Sequence, residues 1–461
     1  MHKQLPEMKT VILDGTRHGD QHTDFPLALL KDAVHNYYGD QTETFRLREI
    51  KLNPCIGCFN CWLKTPGQCI HRDAGSEILR AIMTSNTVIF FTPVVFGGYS
   101  SELKKIVDRL LPTVLPFFKE FSGETHHQAR YLSAPRLIAV GVQPYLQKRE
   151  AKCFKMLVGR NAINFNAPNY AVETVTSADS PETLRSRFQS LFSRSDDLPL
   201  RNDIYSLLKE EPCVPKSSPE EHRALLINGS QKTRHPSTSA LLGEYTLNNL
   251  EKHGWKTESL ALANNICKKE GQNNLLLSLS RAETILLSFP LYVDTLPFLV
   301  TKALEVVALH WETEKSNRPK RIFVLINNGL PESYQNIVAL AICKNFALKT
   351  GIFWAGALAV GAGEAFISGK PLTGFTGFRG LIKRPPLFYV KHSLQAVAKA
   401  LAKGEPVSEH NIWLLDKKPI PLISSSIWHY LFIKAANRIL KKEARRNGLK
   451  IDEMFKTPYN N

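Results

Sequence analysis

The chain lacks the long apolar runs of a membrane-spanning protein, since no stretch reaches the roughly eighteen apolar residues that a spanning helix needs. Its first ten residues, MHKQLPEMKT, contain no apolar core of a secretory signal. It also lacks a G-x-G-x-x-G dinucleotide fingerprint and any signature of an RNA- or DNA-binding module. These absences predict an intracellular, cytoplasmic protein with no nucleic-acid partner.

Acidic residues are scarce relative to basic ones: 42 Asp and Glu stand against 59 Lys and Arg, which gives a formal net charge of +17. Such an excess favours polyanionic partners, among them phosphorylated cofactors, acidic proteins and anionic membrane surfaces. A basic surface that only aids solubility explains the charge equally well. With 461 residues and 43% hydrophobic content, the chain is long enough to bury two cores.

Cysteine is unevenly distributed, because four of the eight cysteines fall within the string PCIGCFNCWLKTPGQC. A C-x2-C-x2-C-x7-C run gathers soft thiolates at one bend, which suits iron–sulfur or zinc better than core packing. In a reducing compartment, clustered cysteines indicate metal or redox chemistry instead of disulfides. The candidate metal ligands are Cys55, Cys58, Cys61 and Cys69.

Three interpretations of this run stay open from the residues alone. It holds a 4Fe–4S cluster, or it has lost its metal and works through free thiols or a dithiol, or it binds structural zinc. The spacing of the first three cysteines is cramped for a tetrahedral zinc site.

The two halves of the chain follow one plan. Apolar runs at residues 10–15 and 224–229 each end in glycine and lead through a polar loop into a helical pattern. Buried-strand runs at 86–93 and 283–290 each end in proline. Short continuous strands that alternate with helices predict parallel sheets covered on both faces. The first half is longer by about the length of the cysteine segment, which predicts an insertion there. Further strands are predicted at 136–142, 321–327, 163–168 and 353–361.

This plan predicts a first domain over residues 1–175, a linker over 176–222, a second domain over 223–405 and a C-terminal helical extension over 406–461. Within the extension, Ile427, Leu431, Ala435 and Ile439 recur at a spacing of four and predict a basic amphipathic helix. We expect that apolar face to pack on its own domain or on a second subunit, with an anionic membrane as the alternative.

A strand that ends at glycine and is followed by a hydroxyl-rich loop and a helix start is a phosphate-binding arrangement, because helix N–H groups point at the anion. Asp14 and Asp24 flank the first-half loop and make it the poorer fit. As the alternative, Ser237 or Thr238 only caps its helix. The candidate phosphate-binding residues are Thr16, Arg17 and Thr23 in the first half, and Ser230, Thr233, Ser237, Thr238 and Ser239 in the second.

Proline-headed loops follow the third strand of each half. In the first half, two adjacent glycines let backbone amides approach a planar ring closely. In parallel sheets, ligands lie beyond the carboxyl ends of the strands, where these loops meet. The alternative is a tight strand-to-helix connection without a ligand. The candidate ring-binding residues are Pro93, Val94, Val95, Phe96, Gly97 and Gly98, with Pro290, Leu291 and Tyr292 in the second half.

Both halves resemble the flavodoxin-like, NAD(P)H-dependent FMN reductase family, over residues 10–170 and more loosely over 223–365. The first half resembles its iron–sulfur flavoproteins in Pro54, the four cysteines and Asp73. The loop at 93–98 and the following Ser101, Leu103, Lys104, Asp108 and Arg109 match the family's PVYFGG-type loop and S-x-L-K-x-x-x-D-R helix.

This resemblance implies two tandem flavodoxin-like, doubly wound parallel sheets (α/β) and bound FMN, with phosphate at the strand-to-helix loop and the flavin ring at the glycine loop. It also implies a 4Fe–4S cluster on the four cysteines. The implied function is a flavin-dependent oxidoreductase or electron carrier with NAD(P)H as donor by analogy, a small-molecule or protein acceptor, and a homodimer or an internal pair. The alternative is a degenerate scaffold without turnover. No catalytic side chain is assigned.

Overall fold

The computed structural model describes residues 9–207, 221–232, 236–314, 321–363, 385–405, 412–415 and 425–459, and the single positions Ile367, Leu372 and Val407. They form two compact units. The first comprises residues 1–122, 126–200 and 433–461, and the second comprises 123–125 and 201–432. None of the described helices is both long and apolar enough to cross a membrane.

The first unit alternates strands and helices. Its strands are β1 (Thr10–Asp14), β2 (Thr42–Arg46), β3 (Thr87–Pro93), β4 (Val114–Phe121), β5 (Glu124–Ala129), β6 (Arg136–Gln143) and β7 (Tyr170–Thr176). Its helices are α1 (Asp24–Tyr38), α2 (Asn60–Leu63), α3 (Gly75–Met83), α4 (Ser101–Val107), α5 (Lys148–Asn164) and α6 (Pro181–Ser193).

Five of these strands form one parallel sheet in the order β2-β1-β3-β6-β7. With the β4–β5 hairpin set aside, this is the 2-1-3-4-5 order of flavodoxin-like folds. Ile12, Ile89 and Ile138 from neighbouring strands share a buried cluster with Leu30 of α1 and Phe188 of α6. The strands are continuously apolar because helices cover both faces of the sheet.

The second unit repeats the order with one more strand: β13-β12-β11-β10-β8-β9, all parallel. Its strands are β8 (Arg223–Asn228), β9 (Lys256–Ala261), β10 (Thr284–Pro290), β11 (Arg321–Asn327), β12 (Phe353–Val360) and β13 (Ile412–Leu415). The remaining helices are α7 (Arg201–Tyr205), α8 (Thr238–Glu251), α9 (Lys269–Arg281), α10 (Phe298–Thr313), α11 (Ile337–Thr350), α12 (Pro385–Lys403) and α13 (Ser425–Arg446).

The two tandem parallel sheets confirm the predicted fold class. The cysteine segment lies between β2 and α3, at residues 47–74, where the second unit has only residues 262–268. The strand predicted at 163–168 is wrong. Helix α5 continues to Asn164, the chain turns at Asn166 with φ of 55°, and the strand that follows is β7. The β4–β5 hairpin was not predicted.

The compact units divide the chain differently from the predicted boundaries. Helix α6, in the segment expected to be a linker, packs on α1 through Leu184 and Phe188 and belongs to the first unit. Strand β13, in the segment expected to be a helical extension, pairs with β12 in the second sheet. Residues 433–461 are counted with the first unit.

Helix α13 packs through a different face from the predicted one. Ala444 is buried with Leu115 and Phe117 of β4, and the Asn437 side chain pairs with the backbone N–H and C=O of Phe118 at 2.8 and 3.0 Å. The predicted packing face is exposed: the exposed fractions are 55% for Ile427, 42% for Leu431 and 62% for Ile439. These three side chains therefore do not pack on their own domain, and packing on a second subunit stays a prediction.

Candidate functional site

The glycines that directly follow β1 and β8 have the same structural role in the two units. Gly15 N–H donates to Phe91 O, and Gly229 N–H donates to Ser288 O, both at 2.8 Å. A Cβ on Gly15 would lie 2.6 Å from Leu103 Cβ, and a Cβ on Gly229 would lie 2.2 Å from Val300 Cγ2. Each glycine therefore lets a helix that comes later in the chain, α4 in the first unit and α10 in the second, pack closely against the start of a loop at the carboxyl edge of its sheet.

In the first unit, Thr16 is bonded within its own loop. Its hydroxyl and its backbone N–H both donate to Asp14 Oδ1, at 2.7 and 3.0 Å. The Arg48 guanidinium donates to the same hydroxyl. Thr16 and Asp14 are fully buried. The hydroxyl and the amide predicted to bind phosphate thus face a carboxylate, which repels an anion.

Arg17 and Thr23 are also held inside this loop. The Arg17 guanidinium is paired with Asp20 by Nε and Nη2, each 2.9 Å from a carboxylate oxygen, and its backbone N–H donates to the same group at 3.0 Å. The Thr23 hydroxyl donates to Asp20 O at 2.6 Å. The structure brings the three predicted residues together but uses these donors within the loop, so the first-unit loop is the poorer fit for a phosphate group.

The second unit has no such carboxylate in the described part of its loop. Ser230 N–H donates to Asn228 Oδ1 at 3.0 Å, and Lys232 N–H donates to the Ser230 hydroxyl oxygen at 3.2 Å. The predicted residue Thr233 lies outside the described residues. Ser237 accepts from Ala240 N–H at 3.1 Å and is the N-cap of α8. The capping interpretation is therefore right for Ser237.

Thr238 differs from its neighbours because its buried hydroxyl has no hydrogen-bond partner among the described residues, although the residue is only 4% exposed. Asn327 Oδ1, at the end of β11, likewise has no hydrogen-bond partner among the described residues, and Asn327 is 3% exposed. A Cβ on Gly363 would lie 3.2 Å from Thr238 Cγ2 and 3.0 Å from Asn327 Cβ, so all three residues meet at one point. Buried polar atoms without partners are costly unless a ligand or water satisfies them. These residues fit a polar group bound at the start of α8.

The chain therefore has a candidate ligand residue, Asn327, that the sequence analysis missed. The sequence signal for it is the polar pair Asn327-Asn328, which stands where the apolar strand β11 ends at the carboxyl edge of the sheet. The Ser239 hydroxyl lies 3.1 Å from the Ser237 hydroxyl, so Ser237, Thr238 and Ser239 place three buried hydroxyls at the start of α8.

The proline-headed loops form the same tight turn in both units. Val95 and Gly98 exchange backbone hydrogen bonds at 2.9 and 2.8 Å around Phe96 and Gly97, whose φ angles are 54° and 92°. This is a two-residue turn with both central residues in the left-handed region. Residues 93–98 are all buried.

In the second unit, Tyr292 and Thr295 exchange the same bonds at 2.9 and 3.1 Å. The central residues are Val293 and Asp294, with φ of 46° and 61°. Pro290, Leu291 and Tyr292 are half-buried. The absence of glycine therefore does not change the turn. Tyr99, which directly follows the first turn, belongs to the core, since it is 2% exposed and its hydroxyl lies 2.8 Å from Asn161 Oδ1.

The four clustered thiols lie on one loop of the first unit, residues 54–72, which we call the cysteine loop. Cys61 is buried, Cys55 and Cys69 are half-buried, and Cys58 is exposed. Burial raises the pKa of Cys55 to about 12. Burial also raises the pKa of Cys61, and charge on the other three thiols raises it further, so the four sulfurs share one region. Among the described residues, no three His, Cys, Asp or Glu side chains are placed to hold a single metal ion.

Backbone geometry and one carboxylate shape this loop. Phe59, Gly57 and Gly67 have φ of 54°, 62° and 80°, which bends the chain sharply between the thiols. Asp73 accepts from Asn53 N–H at 2.9 Å and from Gly75 N–H at 3.1 Å. The residues just before and just after the loop are thereby held at one carboxylate.

Sequence comparisons give this geometry a family context. The model of the family described as NADPH-dependent FMN reductase matches residues 8–132. That segment includes the first loop, the cysteine loop and the glycine turn. Residues 8–132 are thus similar to the NADPH-dependent FMN reductase family.

Proteins similar to this segment include iron–sulfur flavoproteins of two archaea. One, from Methanocaldococcus jannaschii, is 34% identical over 110 residues, which is 24% of this chain and 55% of the relative. Another, from Archaeoglobus fulgidus, is 34% identical over 85 residues, which is 18% of this chain and 37% of the relative. The chain thus spans about half the length of the first relative and less of the second.

Among solved structures, the chain is similar to an FMN-dependent NADH-azoreductase from Bacillus anthracis in complex with FMN. The identity is 14% and the TM-score is 0.27, and the alignment covers 39% of this chain and 99% of that one.

Proposed function

We propose that this protein is an FMN-dependent oxidoreductase that takes electrons from NAD(P)H and carries an iron–sulfur cluster on the cysteine loop. The observation that carries the proposal is the gathering of four thiols on one loop of the FMN reductase segment. FMN accepts a hydride and returns electrons singly, and an iron–sulfur cluster carries one electron at a time. The combination would join a two-electron donor to a one-electron acceptor, either a small molecule or a protein.

For the cluster, the chain supplies four soft thiol ligands, and glycine bends between them set their direction. Each thiolate of a 4Fe–4S cluster binds a different iron, so its ligands stand farther apart than those of one metal ion. Cys61 and its neighbours Trp62 and Val114 form a buried apolar patch that excludes water from the innermost thiol. Cys55, Cys58, Cys61 and Cys69 are the proposed ligands.

For FMN, we propose the second unit as the better site for the phosphate group. The start of α8 offers the Thr238 hydroxyl and the helix N-terminus, while the corresponding donors of the first unit are bonded to Asp14 and Asp20. The half-buried turn at Pro290, Leu291 and Tyr292 is the proposed border of the flavin ring in that unit. The proposal predicts one FMN per chain.

Absorption spectroscopy of protein purified without oxygen tests the function. Flavin bands on a broad iron–sulfur shoulder are expected, with iron and sulfide found by chemical analysis. Cys58→Ser should remove the shoulder and leave the flavin bands, whereas Cys267→Ser, at an exposed cysteine of the second unit, should change neither. A colourless protein that takes up no FMN would support the alternative of a scaffold without turnover, and zinc without iron would overturn the cluster.

We also propose a peripheral membrane contact through the outward face of α13. Exposed Ile427, Leu431 and Ile439 lie on a helix that carries exposed Lys434 and Arg438. Apolar side chains beside cations match the interior and the headgroups of an anionic lipid surface.

A further inference from the structure

Arg130 is a buried cation whose hydrogen bonds go to backbone carbonyl groups. It is 6% exposed, and its Nη1 donates to Met454 O at 2.7 Å and to Lys456 O at 2.8 Å. Its Nη2 donates to Val114 O at 3.3 Å, while Nε has no partner among the described residues. No carboxylate in the described part of the chain forms an ion pair with it. Backbone carbonyls solvate such a charge but do not neutralise it.

This guanidinium lies behind the cysteine loop. Val114 O, to which it donates, also accepts from Trp62 Nε1 at 3.1 Å, and Val114 and Trp62 form one buried cluster with Cys61. Burial lowers the pKa of Arg130, and charge on Cys61 and Tyr131 acts in the opposite direction. The innermost thiol is therefore one of the groups whose negative charge would balance Arg130.

The two carbonyls that Arg130 binds belong to the C-terminal segment, residues 451–459, which also lies on the cysteine loop. Pro458 fills the space above Gly67, where a Cβ would be 2.5 Å from Pro458 Cδ. Tyr459 is 3% exposed, and its backbone N–H donates to the Tyr131 hydroxyl at 3.4 Å. Burial raises the pKa of Tyr459, and charge on Cys69 raises it further. The segment thus covers the part of the loop between Cys61 and Cys69.

We propose that the C-terminal segment is a wall of the cysteine site, and that Arg130 is a positioning residue that ties this wall in place and balances the negative charge of a thiolate-ligated cluster. The inference rests on the proposed function for the identity of the cluster, but the covering of the thiols does not. Because the reduced cluster carries one more negative charge than the oxidised one, a buried cation beside it favours reduction.

Thiol labelling of the reduced, metal-free full chain tests the wall without any cofactor. In Tyr459→Ala, alkylation of Cys61 and Cys69 should become faster by about tenfold or more, because the segment is held less firmly and opens more often. A chain ending at Lys450 should show a larger effect. Exposed Cys267 is the internal control and should react at the wild-type rate in Tyr459→Ala. Unchanged rates at Cys61 and Cys69 in both variants would overturn the wall.

Redox titration of the loaded chain tests the charge. Arg130→Met should lower the midpoint potential of the cluster, Arg130→Lys should restore most of the shift, and Arg185→Met, at an exposed residue of α6, should leave the potential unchanged. A potential in Arg130→Met equal to that of the wild type would overturn the balancing role. A chain that never takes up iron would refute the cluster itself, and the labelling rates would still decide whether the segment covers the thiols.

Discussion

Arg109 binds Asp73 in a buried ion pair, with its Nη1 2.7 Å from each carboxylate oxygen. The same Nη1 donates to Asn53 O at 3.2 Å. Since Asp73 also holds the backbone of Asn53 and Gly75, this pair ties both ends of the cysteine loop to the residues that follow α4. The loop is therefore closed at its base by one carboxylate and one guanidinium.

Asp73→Asn should loosen the cysteine loop, because it removes the carboxylate that pairs with the fully buried Arg109 charge. Breaking a buried ion pair in this way costs about 3–5 kcal/mol of the free energy of unfolding. Urea unfolding should report this loss, and hydrogen exchange should show faster exchange at residues 54–72. As control, Arg446→Gln breaks an exposed pair with Glu443 and should cost less than about 1 kcal/mol. Wild-type exchange in Asp73→Asn would contradict the role of the pair.

Acid should weaken the same contact. Burial alone would raise the pKa of Asp73, but the hydrogen bond from Asn53 N–H and the Arg109 guanidinium hold it below its ordinary value. The stabilisation is therefore present above the unfolded-state pKa of about 3.9 and is lost as pH falls through the lower folded-state pKa. Between about pH 5 and about pH 3, the wild type should lose more free energy of unfolding than Asp73→Asn. Parallel pH curves for the two proteins would refute this account.

The two turns show what local sequence reveals about this fold. In the first unit Gly97 takes one of the two left-handed positions of the turn, because glycine adopts positive φ at little cost, and Phe96 takes the other. In the second unit, Val293 adopts a φ of 46° although β-branched residues rarely do so. Leu291 N–H donates to Asn327 O at 2.8 Å on the neighbouring strand. Sheet contacts impose the turn there, and no local pattern contains that information.

The hydroxyl loops show a similar limit. The sequence predicted a helix after the hydroxyl-rich loop, which α8 confirms. Phosphate binding by Ser237, Thr238 and Ser239 stays a prediction. The sequence did not reveal which hydroxyl caps the helix and which stays without a partner, because Ser237 and Thr238 are equally suited to capping. Asn327 meets Thr238 only because β11 pairs with β10 in a register that places Asn327 beside Pro290. Such a contact between distant residues depends on the assembled sheet.

Thr238→Val should weaken FMN binding without destabilising the fold, because valine has nearly the same shape but no hydroxyl. One hydrogen bond to a charged group contributes about 1.5–3 kcal/mol, so the Kd should rise about tenfold to a hundredfold. Flavin fluorescence titration measures it. Thr16→Val is the matched control in the first unit and should leave the Kd unchanged. Ser237→Ala should instead lower stability by about 1 kcal/mol through loss of the cap. Stronger loss of FMN binding in Thr16→Val than in Thr238→Val would place the phosphate in the first unit.

The outward face of α13 should bind vesicles that contain phosphatidylserine, and binding should weaken with salt because exposed cations are screened. Serine at Ile427, Leu431 and Ile439 together should abolish flotation with the vesicles, since each buried apolar side chain contributes about 1.5–3 kcal/mol. These side chains are exposed, so the triple variant should fold normally. Serine at Leu277 and Leu309, which are 56% and 68% exposed on other helices, is the control and should not affect flotation. If the wild type stays with the soluble fraction, or the triple variant floats with it, the exposed stripe has no role at an anionic membrane.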